Sequence, residues 1–319
     1  MVPDNAALQG GRAAKSRATF RQVLNDIVRD RWLYILLLPA FVLLLVFNYI
    51  PIYGLVIAFK DYNGTKPIMD SAWVGFKYFE MMARDPFIVS VVRNTLVLGV
   101  YSIVFTFPAP IVLALMLNEL KNGRYKRVSQ TISYLPYFIS TVIVVSMMKE
   151  FVAMDGIINL SIKALGLKAI NFMSDPQWFR TMYTVSEIWQ GVGWGSVLYL
   201  AAASGISEEL YEASTIDGAN RLQKIWFITL PCLMPTISIQ FILAMGGLLG
   251  ASFEKIILMY SPATYSTADV IATYVYRKGI QGSSYSYGVA VGAVNSVVSF
   301  LFVYASNLVM RKVNGYSFW

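Results

Sequence analysis

The sequence predicts an all-α membrane protein: a polytopic bundle of six transmembrane helices with a polar, helix-forming loop between the fourth and fifth. Three observations carry this reading. Of 319 residues, 56% are hydrophobic and only 14% charged, an excess that a soluble domain does not carry. Apolar blocks recur at roughly 20 residues, the length a helix needs to cross about 30 Å of hydrocarbon. Basic residues sit beside those blocks, which turns the net charge of +8 towards a membrane surface and away from nucleic acid. Histidine is absent, which removes the commonest general base and metal ligand. The single cysteine, Cys232, allows neither an intrachain disulfide nor a cysteine metal cluster, and reads as packing filler at the start of a span.

Residues 1–31 are polar and basic, with Arg12, Lys15, Arg17, Arg21, Arg29 and Arg31. Phe20, Val23, Leu24, Ile27 and Val28 recur at helical spacing, so an amphipathic helix on the cytoplasmic surface is expected. The first span is 33–59, too long for a signal-peptide core, with Trp32 and Tyr34 at one interface and Tyr49 and Tyr53 at the other. Pro39 sits early; Pro51 is expected to kink or end the helix. An outer loop follows to Pro86, with Asn63–Gly64 as a turn. The second span is 87–117, interrupted by Pro108 and Pro110, and the third is 128–148, with Pro136 inside it. Between them, 118–127 is short and basic through Lys121, Arg124, Lys126 and Arg127. Residues 149–180 form a second outer segment with short surface helices. The fourth span is 182–203, the fifth 228–250 and the sixth 285–310, with an outer segment at 251–284 and a cytoplasmic tail at 311–319. Short, membrane-adjacent basic segments place both ends on the cytoplasmic side.

The loop 205–231 is the least membrane-like part of the middle of the chain. Ser207 can cap a helix, and Glu208 and Glu209 fall in its first turn, where the positive end of the helix dipole favours them. Gly218 permits a backbone turn, and a second helical run, 221–228, leads to Pro231. This helix–turn–helix is suited to a partner's groove. Glu212–Ala213–Ser214, Gly218 and Ile228–Thr229–Leu230–Pro231 stand at the spacing of the signature loop of ABC-importer membrane subunits, and the chain resembles that family. Ser214 replaces an alanine; Asp217 and Ala219 suit the carbohydrate-importing branch. The run YIPIYGLVIAFKDYN, the run WVGFKYFEMMARDP and the terminal Ser317–Phe318–Trp319 resemble the sub-branch that takes up poly- and oligosaccharides. The resemblance implies a coupling helix made by Glu208, Glu209, Glu212, Ala213, Ser214, Asp217, Gly218 and Ala219. It implies a permease domain over 32–310 in the bacterial cytoplasmic (inner) membrane. It also implies a second, homologous permease subunit, two ATP-binding subunits and an extracytoplasmic solute-binding protein.

No phosphate-binding loop G-x-x-x-x-G-K-[ST] occurs in the chain. The chain is therefore expected to be no enzyme and to hold no cofactor or metal, with ATP and Mg²⁺ bound by the partner ATPase. Within the spans, polar groups are costly and face a cavity or another helix. Glu187 stands out, with Trp189, Gln190 and Trp194 beside it and Gly191, Gly193 and Gly195 permitting close approach. Hydrogen-bonding groups beside flat aromatic faces suit a sugar. Equally, the glutamate can be tied to a neighbour while the tryptophans pack between helices. Asn295, in the sixth span, is a second pathway candidate; Arg93, Asn94, Gln240 and Asn307 are further polar groups. Tyr260, Tyr265, Tyr274 and Tyr276 in the third outer segment suit either a delivered sugar or an ordinary interfacial loop. An ion-coupled secondary transporter would share the broken helices and the buried carboxylate.

Overall fold

A computed structural model describes residues 29–120 and 123–318. The amphipathic helix expected before Arg29, together with Lys121 and Trp319, lies outside the described residues. The chain divides into two compact units, 1–55 and 56–319.

In the first unit, helix α1 (Arg31–Leu44) is apolar all round and none of its side chains is buried. It passes through a π-turn, Leu45–Tyr49. Pro51 does not end the helical stretch, which goes on as a 3₁₀ segment, Ile50–Phe59. A proline near the start of a tighter segment removes a donor that a change of winding can spare.

In the second unit, α2 is Lys77–Arg84 and α3 is Pro86–Tyr101. A π-turn, Ser102–Thr106, leads to α4, Pro108–Asn118, and its change of winding accommodates the N–H that Pro108 lacks inside a continuous helix. The second span is thus continuous over Pro86–Asn118. The expected third span is not. Helix α5 (Arg124–Tyr134) runs into a 3₁₀ turn, Leu135–Phe138, and α6 (Thr141–Val152) starts on a Ser140 cap after a bend of 100°. Pro136 lacks the N–H that a straight helix would need there, and Ser140 begins a new one. Helix α7 is Ile157–Ala164.

Helix α8 (Pro176–Ser204) begins earlier than the expected fourth span. The Asp175 side chain accepts the Gln177 N–H and Pro176 opens the first turn; Asp85 and Pro86 start α3 in the same way, with Asp85 accepting the Phe87 N–H. The rest of the unit comprises α9 (Glu208–Ile216), α10 (Arg221–Lys224), a π-turn (Ile225–Thr229), α11 (Leu230–Gly246), α12 (Phe253–Met259), α13 (Tyr265–Ala268), α14 (Ile271–Val275), a π-turn (Tyr276–Gln281) and α15 (Tyr285–Asn314). The second arm of the loop is one rod with the fifth span, Arg221–Gly246, which stops short of the expected Gly250. Helix α15 runs past the expected end of the sixth span and closes on Gly315 at φ +73°. Cys232 is exposed in the chain, against its reading as packing filler. Among the described residues there is no named strand, only an isolated antiparallel bridge, Lys60–Trp73.

Four helices are long and apolar enough to cross a membrane, five if the bent pair counts as one span. Helix α8 is long enough but is not among them, because Arg180, Glu187 and Gln190 lower its hydropathy. The all-helical membrane bundle stands; the count of six does not follow from length and composition.

Packing centres on α4 against α8 and α11 against α15. Leu98, Val145, Phe179, Tyr183, Ile256 and Met259 form the main core beside α8. At Gly193 an added Cβ would lie 1.8 Å from the Ser133 carbonyl oxygen, so α5 and α8 touch through bare backbone. Gly193→Ala is therefore expected to lower the thermal stability of the detergent-solubilised protein by about 1–3 kcal/mol or more, by overpacking. Gly191→Ala is the control, having nothing within 4 Å of the added atom. Equal melting of the two variants would refute the contact.

Asp85 joins two parts of the chain that are far apart in sequence. It accepts hydrogen bonds from Lys278, Tyr274 and Tyr287. Burial pushes its carboxyl up, but those donors and the Phe87 N–H outweigh this and hold it well below the usual range. Burial first, then Asp85, pushes the Tyr274 hydroxyl up to about 12, so it remains a donor at neutral pH. A depressed carboxylate pKa stabilises the fold above the unfolded value of about 3.9 and loses that effect as pH falls through the folded value. Acid loss at this cluster is thus confined to below about pH 4. Asp85→Asn should cost of order 1–3 kcal/mol at neutral pH. Melting curves across pH check this; an unchanged neutral midpoint would refute it.

Candidate functional site

The first candidate surface is the loop around α9. Ser207 Oγ accepts the Glu209 N–H at 3.3 Å, and Glu208 and Glu209 occupy the first turn. At the other end the helix closes in a Schellman motif. The Ala219 N–H donates to the Ser214 carbonyl at 2.9 Å and the Gly218 N–H to the Thr215 carbonyl at 3.1 Å. Gly218 stands at φ +76°, the left-handed region a glycine adopts without strain. The expected turn residue is thus the one that bends the chain.

Beyond the turn, Asn220 and Gln223 form a reciprocal capping box, and Lys224 Nζ donates to Thr215 Oγ1 at 2.7 Å. The hydroxyls of Tyr211 and Thr229 lie 2.9 Å apart and tie α9 to the start of the next rod. What remains outside is acidic and apolar together. Glu208, Glu209 and Glu212 are exposed, as are Leu210, Ile216, Leu222 and Phe227, with Ile216 at 88%. A cleft of about 440 Å³ between the two arms is lined by Ala213, Ser214, Asp217, Gly218 and Ala219 among others. The eight residues expected to form a coupling helix thus lie on one exposed helix and turn, capped at both ends.

The second candidate is a cavity of about 510 Å³ where the α5–α6 break faces α8 and α12. Its lining includes Tyr137, Ser140, Glu187, Gln190, Glu254 and Lys255. Glu187 is tied to a neighbour: Lys255 Nζ lies 2.5 Å from its Oε1, with the lysine side chain 2% exposed and the glutamate 29%. Gln190 donates through Nε2 to the Ile139 carbonyl at 2.9 Å, fixing the broken backbone. Trp194 stands behind the wall, stacked on Tyr137 at 4.9 Å between ring centres. Trp189 is not in this cavity; it borders an apolar groove with Val144, Met147 and Met182. Asn295 lies outside the lining as well, with its Oδ1 buried and without a hydrogen-bond partner among the described residues. Of the five pathway candidates, Glu187 and Gln190 meet here, Trp194 supports them, and the other two belong elsewhere.

Reading from the sequence missed Lys255, Glu254 and Tyr137. Lys255 shares the buried face of α12 with Ile256 and Met259. A lysine at that spacing among apolar residues was the available signal.

A bent bundle of apolar helices with a polar cavity and an exposed helix–turn–helix is the architecture of a membrane transport subunit. The chain belongs to the family of binding-protein-dependent transport system inner membrane components, which it matches over residues 106–311. Protein LplB of Bacillus subtilis (strain 168) is 43% identical over 89% of this chain and 90% of its own length. The polygalacturonan/rhamnogalacturonan transport system permease protein YteP of the same organism is 37% identical, over 92% and 91%. A crystal structure of a bacterial alginate ABC transporter, in complex with an alginate pentasaccharide-bound periplasmic protein, contains a chain that superposes with a TM-score of 0.85. That chain is 41% identical, over 93% of this chain and 99% of its own. The protein is thus an ABC transporter permease, a transport component rather than an enzyme. Membership of this family disfavours an ion-coupled carrier.

Proposed function

We propose that this chain is one of two homologous membrane subunits of an ATP-driven importer for oligo- or polysaccharides bearing acidic sugars, of the alginate or pectin kind. The permease domain is 32–310, in the bacterial cytoplasmic membrane, with the N-terminal segment 1–31 and the tail 311–319 cytoplasmic. Two ABC subunits bind ATP and Mg²⁺, and an extracytoplasmic solute-binding protein delivers the sugar; this chain holds no cofactor. Glu208, Glu209, Glu212, Ala213, Ser214, Asp217, Gly218 and Ala219 dock into an ATPase subunit. ATP-driven closure of the ATPases carries the knuckle with it and opens the cavity outward; hydrolysis resets it. Glu187 and Gln190, with Lys255, border the sugar path, and Trp194 positions Tyr137 there.

One observation carries the proposal: an exposed helix, acid-tipped and flanked by bare apolar side chains, is locked at both ends by caps. Such a surface is unfavourable in water and suited to a groove. The names of YteP and of the alginate transporter support the acidic-glycan class. The test is to purify the complex and measure ATPase activity with candidate glycans and their binding protein. Several-fold stimulation by an acidic oligosaccharide is expected. Absence of any co-purifying ATPase, or uptake that follows an ion gradient instead, would overturn the proposal.

A further inference from the structure

A separate cavity of about 700 Å³ lies between the start of α3 and the α13–α14 region, lined by Phe87, Asn94, Tyr265, Tyr274, Arg277 and Lys278 among others. We infer that it is an anion-selective saccharide subsite, which takes one carboxylated sugar unit of the incoming chain. The inference deepens the proposed transport of acidic glycans and rests on it.

The charge around this cavity does not cancel. Arg277 pairs with Asp269, through Nη1 at 3.1 Å and Nη2 at 2.5 Å, and Lys278 pairs with Asp85. Each cation keeps an exposed part, 31% and 42% of its side chain. Behind the wall stands a third cation, Arg180, whose Nη2 donates to Asn94 Oδ1 at 3.0 Å. Among the described residues Arg180 has no carboxylate partner, and its Nε is buried without a hydrogen bond. The two amide hydrogens of Asn94 are spent on the carbonyls of Ser266 and Asp269, at 3.0 and 3.2 Å. Asn94 is therefore a fixed link between Arg180 and the cavity wall. Three cations are thus set against two carboxylates, and the one without a carboxylate partner among the described residues, Arg180, holds its Nε buried and unbonded. A guest carboxylate supplies the missing charge, and the spare donors of Arg277 and Lys278 suit its geometry.

The rest of the lining suits a sugar ring. Phe87, exposed, and Tyr265, half-buried, supply apolar faces for pyranose C–H surfaces. The Arg277 guanidinium lies 4.6 Å over the Tyr265 ring and fixes its plane. Recognition by aromatic faces together with charge separates a carboxylated sugar from a simple inorganic anion, which would use the charge alone.

The test uses the reconstituted complex of both permeases and both ATPases, without binding protein, and equilibrium dialysis of labelled trigalacturonate against labelled maltotriose. The wild-type complex should bind trigalacturonate at least about ten-fold more tightly, a difference of about 1.4 kcal/mol. Arg180→Gln keeps a hydrogen-bonding group beside Asn94 but removes the charge, and should erase most of that preference; Arg180→Lys should retain it. Tyr265→Leu should weaken both sugars and leave the preference. Assembly of each variant is checked by co-purification of the subunits. Equal affinities in the wild type, an unchanged preference in Arg180→Gln, or unchanged affinity in Tyr265→Leu would overturn the subsite. If binding is unselective while an acidic glycan and its binding protein still stimulate the wild-type ATPase, only the subsite fails. If no glycan stimulates it, the transport reading itself fails.

Discussion

Gly218→Pro is expected to reduce glycan-stimulated ATPase activity of the assembled complex to its unstimulated level, while the subunit still inserts in the membrane. Gly218 sits at φ +76°, and proline is held near −65°. Its N–H donates to the Thr215 carbonyl, a bond that proline cannot make. Both Schellman bonds would break, at a local cost of about 3 kcal/mol or more. The two arms of the knuckle would then lose their relative angle, and the coupling proposed for this surface would fail. Insertion should survive because the apolar rods on either side are unchanged. A graded series makes the cause visible. Gly218→Asn should be nearly silent, because asparagine visits the left-handed region; Gly218→Ala should cost about 1–2 kcal/mol of local strain and only part of the stimulation. No neighbouring atom lies within 4 Å of an added Cβ, so crowding cannot explain a loss. Full stimulation in the proline variant would remove the loop from the coupling path.

The second large effect is expected at the Glu187–Lys255 pair. Glu187→Leu would leave a buried ammonium without its counter-charge, and should destabilise the protein by about 3–5 kcal/mol. Glu187→Leu combined with Lys255→Met should recover most of that loss, since an apolar pair of similar volume is often neutral or better. Thermal unfolding in detergent measures both. If the double variant melts no higher than the single one, the two side chains are not coupled as their 2.5 Å contact indicates. Transport by the recovered double variant then separates two roles. Full transport would mean that the pair only holds α8 to α12; lost transport in a stable protein would place it on the sugar path.

Much of this was open to a reader of the sequence because it is local. Apolar blocks announce membrane helices, since hydrocarbon tolerates few other structures. The spacing from Glu212 through Gly218 to Pro231 fixes a knuckle, because a cap, a left-handed residue and a helix-opening proline each act within a few residues. Local rules also misplaced some ends. Asp175–Pro176 starts α8 six residues before the expected 182, because a capped proline outweighs the polar residues that follow. Pro136 lies at the break, bent by 100°, of a block that reads from composition as one span.

What belongs to the sequence by itself is the class of molecule, the position of its helix–turn–helix knuckle and the suspicion that Glu187 is special. Only the tertiary structure decided that Glu187 is neutralised by Lys255, that Gln190 braces a broken helix, and that Trp189 and Asn295 stand apart from them. It also decided that Arg180, which has no carboxylate partner among the described residues, stands behind the cavity of about 700 Å³. The physical reason is range. Capping and helix formation act between near neighbours in the chain. The partner of a buried charge is chosen by which distant segments fold against it, and no spacing along one helix records that choice.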